Sequence, residues 1–112
     1  MATERREFTQ EEKEYAWSVA KVIPGENKDK WRKDYAGAWI GYDYYGDTSS
    51  QYGWEIDHQK PLVQDGTYDL SNLVPMQWNN NRRKGDDYPN WTTSKTSLLS
   101  NNIDEEKYWT IK

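Results

Sequence analysis

The chain has 112 residues, a formal net charge of −4 and no cysteine, and its apolar mass lies largely in seven Trp and nine Tyr. That length suits a single domain over residues 1–112, since domains usually run to about 100–150 residues. The missing cysteines exclude disulfides and thiolate zinc sites, no apolar run nears the ~20 residues that cross a bilayer, and the acidic balance argues against a broad nucleic-acid-binding surface.

Any phosphate-facing site must therefore be local, or take its positive charge from a metal. The opening "MATERREFTQ" is charged at once and lacks the apolar segment of a secretory signal, so the expectation is a soluble, intracellular, cytoplasmic protein. Rings bury large areas while their N–H and O–H groups need partners, which predicts a small aromatic core with a wet rim.

In chain order, "FTQEEKEYAWSVAKVI" reads as a helix. Thr9 with Glu12 fits a capping box, and Pro24-Gly25 ends the pattern. Tyr15, Ala16, Val19, Ala20 and Ile23 fall on one face, the expected core face. "ENKDKWRKD" reads as a charged connector. "AWIGYDYYG" alternates with period two, a strand signal, and "GDTSSQYG" is a turn-rich loop delivering the chain into "WEIDH", a second strand. The two are expected to pair as an aromatic hairpin. Pro61 and Asp65-Gly66 mark a loop, and "LSNLVPM" resumes as a short strand with Pro75 at its end or opening the next element. "QWNNNRRKG" reads as a short helix closed by Gly85, its basic residues in the last turn complementing the dipole. In the polar tail only "KYWTI" carries a strand signal.

The chemistry concentrates between Trp54 and Asp86, which hold the sole histidine, His58, directly after Asp57. One His without Cys cannot build the usual four-coordinate zinc site. A carboxylate with an amide oxygen suits a hard cation, and Mg²⁺ typically binds one or two protein oxygens plus water and substrate phosphate. A neutral His beside such an ion can deprotonate water near neutral pH, and basic residues at a helix end would hold a phosphate backbone. Together these parts suit phosphodiester hydrolysis. In a regular strand Asp57 and His58 would point to opposite faces, so a break in the strand at that point is expected.

"DH", "LSNL" and "NNRRKGD", in this order over about a third of the chain, resemble the HNH endonuclease family, whose core is the ββα-metal motif. The resemblance implies an α+β fold with that core over Trp54 to Asp86, preceded by the N-terminal helix and the aromatic hairpin. It implies a metal-dependent endonuclease acting on DNA, with His58 as general base, Asp57 as metal ligand, and Asn72 bracing the loop and orienting the histidine. Its third letter falls on Asn81, three residues before Lys84, with Asn80 the second choice. Asn where many members have His favours magnesium or manganese over zinc. Arg82, Arg83 and Lys84 are the expected phosphate contacts. Glu55 suits either support of the metal site or a surface role. A protein partner or a dimer would extend single-strand nicking to other outcomes. The alternative reading is a nuclease-like binding module of little or no activity, acting through a protein partner.

Overall fold

Thr9 starts the first helix, α1 (Gln10–Val19), through the expected reciprocal cap. Its hydroxyl accepts from the Glu12 N–H at 3.1 Å, and Glu12 Oε1 accepts from the Thr9 N–H at 2.8 Å. The helix ends at Val19, short of Ile23. Its last carbonyls, those of Trp17, Ser18 and Ala20, are taken by the Arg32 guanidinium at 3.2–3.4 Å, a cation at the negative end of the dipole. The computed structural model describes residues 4–111.

The buried stripe of α1 is rotated from the expected one. Ala16 and Ala20 are buried as predicted, but Val19 is 46 % exposed and Trp17 is buried instead. The largest ring decides the matter. Trp17 meets Trp54 and Tyr42 at 5.4 Å each and donates its Nε1–H to the Lys28 carbonyl, so the helix turns to seat it.

After α1 come β1 (Lys21–Val22), β2 (Trp31–Lys33) and β3 (Trp39–Gly41), an antiparallel three-stranded sheet with β2 in the centre. The segment expected as a connector thus supplies the central strand. The hairpin expected between "AWIGYDYYG" and "WEIDH" does not form. Strand β3 pairs with β2, and its continuation meets the next strand only through a parallel bridge between Tyr45 and Trp54. The cause is local: the chain leaves β3 at Gly41 into a 3-10 turn over Tyr42–Tyr44. A Cβ on Gly41 would lie 2.5 Å from the Tyr44 ring and 2.9 Å from that of Trp31. The period-two signal is real at Ala38 and Ile40, both fully buried.

Strand β4 (Trp54–His58) pairs antiparallel with β5 (Leu73–Gln77), Trp54 opposite Gln77 and His58 opposite Leu73. Pro75 sits inside β5, opposite Ile56, rather than at its end. Among the described residues this sheet has two strands, so a missing donor on its outer edge breaks no ladder. Helix α2 (Trp78–Lys84) follows at once, capped by the Gln77 side chain, which accepts from the N–H groups of Asn79 and Asn80. Gly85, with φ 53°, ends it.

The strand–strand–helix segment lies between two layers. Trp54, Ile56 and His58 share the face toward α1 and Phe8, whereas Glu55 and Asp57 face α2. The tail forms a long antiparallel hairpin, β6 (Asn90–Leu98) with β7 (Asn101–Thr110), of which only the "KYWTI" end was signalled. Strand β6 packs on α2, while most of β7 is exposed. The architecture is α+β, with short helices between small sheets.

One buried carboxylate ties these parts together. Asp34, fully buried, accepts from the Ala36 and Ala38 N–H groups on Oδ1, and from the Gln77 N–H and Asn80 Nδ2 on Oδ2. Asn80 then binds β6 through the N–H groups of Ser94 and Lys95 and the Lys95 carbonyl. Burial pushes the Asp34 pKa up, against the pull of its four donors. No helix among the described residues is long and apolar enough to cross a membrane.

Candidate functional site

The end of β4 opens on a cavity of about 160 Å³ lined by Asp57, His58, Pro61, Asn81, Asp86 and Arg5, among others. Three of the residues singled out in the sequence, Asp57, His58 and Asn81, therefore share one space. Strand β4 runs on regularly through His58, without the expected break. The cavity lies at the strand's end, where neighbouring residues of opposite faces can both border it.

Asp57 is buried and paired with Lys84, whose ammonium lies 3.1 Å from Oδ2 and 3.5 Å from Oδ1. That ammonium also donates to the His58 carbonyl at 3.4 Å and sits 5.2 Å from the centre of the Trp91 ring. It is close enough to Oδ2 for an ion pair but is not aligned for a hydrogen bond, so Oδ2 has no hydrogen-bond partner among the described residues. Burial raises the Asp57 pKa to about 7. Lys84 opposes that rise, and Asp86 adds to it.

Lys84 thus turns inward, fully buried, and does not stand on the surface with its neighbours. Arg82 and Arg83 are exposed, and each meets a carboxylate: Arg82 reaches Glu55 at 3.4 Å, and Arg83 reaches Glu106 at 3.1 Å. Glu55 also accepts from Asn81 Nδ2 at 3.0 Å. This bond fixes the amide and leaves Oδ1 as its accepting atom. Asn80, the other candidate, is consumed in the Asp34 network described above. The adjacent positions 80 and 81 are separated by the helix turn, one facing β6 and the other β4.

His58 is seated between two rings, Phe8 at 5.1 Å and Tyr68 at 4.5 Å, the latter nearly perpendicular at 88°. Its Nε2 is buried with no hydrogen-bond partner among the described residues. Burial lowers its pKa to about 4, with Arg5 adding repulsion. The imidazole is therefore neutral across the neutral range.

Asn72 braces the loop as expected. Its side chain accepts from the Lys60 N–H at 2.8 Å and donates to the carbonyls of Lys60 and Thr67 at 3.0 and 2.9 Å. It makes no hydrogen bond with the imidazole. Arg5, Phe8, Tyr68 and Asp86 were not singled out in the sequence. Arg5 and Phe8 lie some fifty residues from His58 and carry no pattern linking them to it. Asp86 closes the "RRKGD" run and had a signal in its place there.

The donor set fits a hard divalent ion in part. Asp57 Oδ2, Asn81 Oδ1 and the Asp86 carboxylate are oxygens, and Mg²⁺ or Mn²⁺ takes few protein ligands. Among the described residues no cluster of three His, Cys, Asp or Glu side chains suits a metal held by protein alone. Comparison with family models, with curated proteins and with solved structures finds no match for this chain.

Proposed function

We propose that the chain is a metal-dependent endonuclease, with β4, β5 and α2 as a ββα-metal core of HNH type. The observation that carries the reading is the convergence of Asp57, His58 and Asn81 on one cavity bordered by an arginine. His58, held neutral by burial, accepts a proton from the attacking water through a ring nitrogen. Asp57 and Asn81 would hold Mg²⁺ or Mn²⁺, with Asp86 as a further oxygen donor. When bound, the ion supplies positive charge to the phosphate and to the departing 3′ oxygen.

Lys84 aims the Asp57 carboxylate and favours its charged form against the effect of burial. Arg5 faces the phosphate from the other side, the role the sequence assigned to the helical cations. Arg82 and Arg83 follow the backbone farther from the reacting atoms, where contacts position without reading bases. DNA is the substrate the family resemblance favours.

Supercoiled plasmid incubated with Mg²⁺ or Mn²⁺ is expected to be nicked, and chelation to stop it. His58→Ala is expected to lose about 10²–10⁴ in rate, as for a general base. A His58→Ala protein that nicks as fast as the parent refutes the assignment. The alternative, a binding module on this scaffold, draws on the Lys84 ammonium, which already satisfies Asp57 electrostatically. Absence of cleavage with every divalent ion, together with a stable protein partner, selects it.

A further inference from the structure

Residues Arg5 to Phe8 cross over His58, and one hydroxyl closes their main chain onto the loop after β4. Tyr68 Oη accepts from the Arg6 N–H at 2.7 Å and donates to the Arg6 carbonyl at 2.9 Å. Both main-chain groups of a single residue are thereby closed on one side chain. The Arg6 guanidinium lies 3.9 Å over the Tyr68 ring and grips both oxygens of Glu12, at 2.9 and 2.8 Å. The segment is thus tied at one point to the loop after β4 and at another to the first turn of α1.

On one side of this tie lies Arg5, at the cavity; on the other lies Phe8, against the imidazole. The tyrosine ring itself forms the second wall of the imidazole's seat. Its neighbour Thr67 is anchored by Asn72. A continuous path therefore runs from the Asn72 brace through Tyr68 to Arg6, and from there to both His58 and Arg5.

We infer that Tyr68 is a positioning residue, whose hydroxyl latches the N-terminal segment and so sets both the seat of His58 and the placement of Arg5 in the cavity. It touches no reacting atom. Asn72 orients the histidine through this path rather than by a direct bond. The role of Arg5 toward phosphate rests on the proposed nuclease function, but the latch itself does not.

His58 is the only imidazole in the chain, so carbethoxylation by diethyl pyrocarbonate, followed at 240 nm, reports on it alone. Tyr68→Phe keeps the ring and removes the latch. It is expected to speed His58 modification roughly five- to tenfold, the scale of a net hydrogen bond or two. Arg6→Ala keeps the backbone latch and removes only the guanidinium, and is expected to change the rate less. An unchanged rate in Tyr68→Phe, or a larger change in Arg6→Ala than in Tyr68→Phe, overturns the latch.

In plasmid nicking, Tyr68→Phe is expected to raise KM by a larger factor than it lowers kcat. The KM penalty of Arg5→Ala is expected to shrink in the Tyr68→Phe background, because two residues acting through one placement are not additive. Equal penalties in both backgrounds overturn the link from Tyr68 to Arg5. A parent protein that leaves plasmid uncut with every divalent ion defeats the nuclease reading, and the modification rates still decide the latch.

Discussion

Lys84→Met removes a buried ammonium while keeping most of its apolar volume, and its effect on stability is expected to depend steeply on pH. In the parent, burial raises the Asp57 pKa from 3.8 to about 7 even with Lys84 beside it. A carboxyl whose folded pKa is raised stabilises the fold fully below its unfolded pKa, and that contribution is lost as pH rises through the folded value. Without the ammonium 3.1 Å away, the folded pKa rises further, and the variant keeps Asp57 protonated where the parent ionises it. At pH 5 both proteins hold the neutral acid, and the variant should lie within about 1 kcal/mol of the parent. Above pH 7 the difference should grow by about 1.4 kcal/mol per pH unit. It saturates at the cost of breaking a buried pair, about 3–5 kcal/mol. Urea denaturation of both proteins from pH 5 to pH 9, with chelator present, measures it. A difference constant across that range means the ammonium does not hold the carboxylate, and the reasoning fails.

Glu12 is the opposite case: its bonds to Arg6 and Thr9 lower its pKa from 4.5 to about 2, so its contribution is present above pH 4.5 and lost as pH falls toward 2. Glu12→Gln is expected to cost about 1 kcal/mol at pH 7, allowing for the exposure of Arg6, and almost nothing near pH 2, as read by denaturation at each pH. Asn80→Ala strands an Asp34 oxygen and the N–H groups of Ser94 and Lys95, and should lose about 3 kcal/mol or more by urea denaturation. If the proposed activity holds, the acid limb of plasmid nicking should move to lower pH as Mn²⁺ concentration rises, because the ion competes with the proton on Asp57. A limb that stays fixed at all metal concentrations contradicts Asp57 as ligand.

Local signals in the sequence carried far, and non-local ones did not. The Thr9 capping box, the β4 strand and the α2 helix follow from neighbouring residues and form as expected. The Trp17 stripe and the pairing of β3 with β2 were misread because ring partners and strand partners come from distant chain. At the site, Asp57, His58 and Asn81 come to border one cavity because α2 follows directly on β5, the strand that pairs with β4. The inward turn of Lys84 was not legible, since nothing in "NRRKG" tells which of three basic residues faces β4. Nor was the Arg5–Phe8 segment, whose place is fixed by a tyrosine 62 residues from Arg6.

Among the described residues strand β7 pairs with β6 alone, so its other side offers a ten-residue row of main-chain donors and acceptors to any extended chain that meets it. The consecutive acids Asp104, Glu105 and Glu106 lie in the middle of that row, and a second copy laid alongside would bring like charges together. They protect against stacking into fibres. Replacing them with neutral β-formers would turn this largely exposed edge strand into the most adhesive surface of the fold.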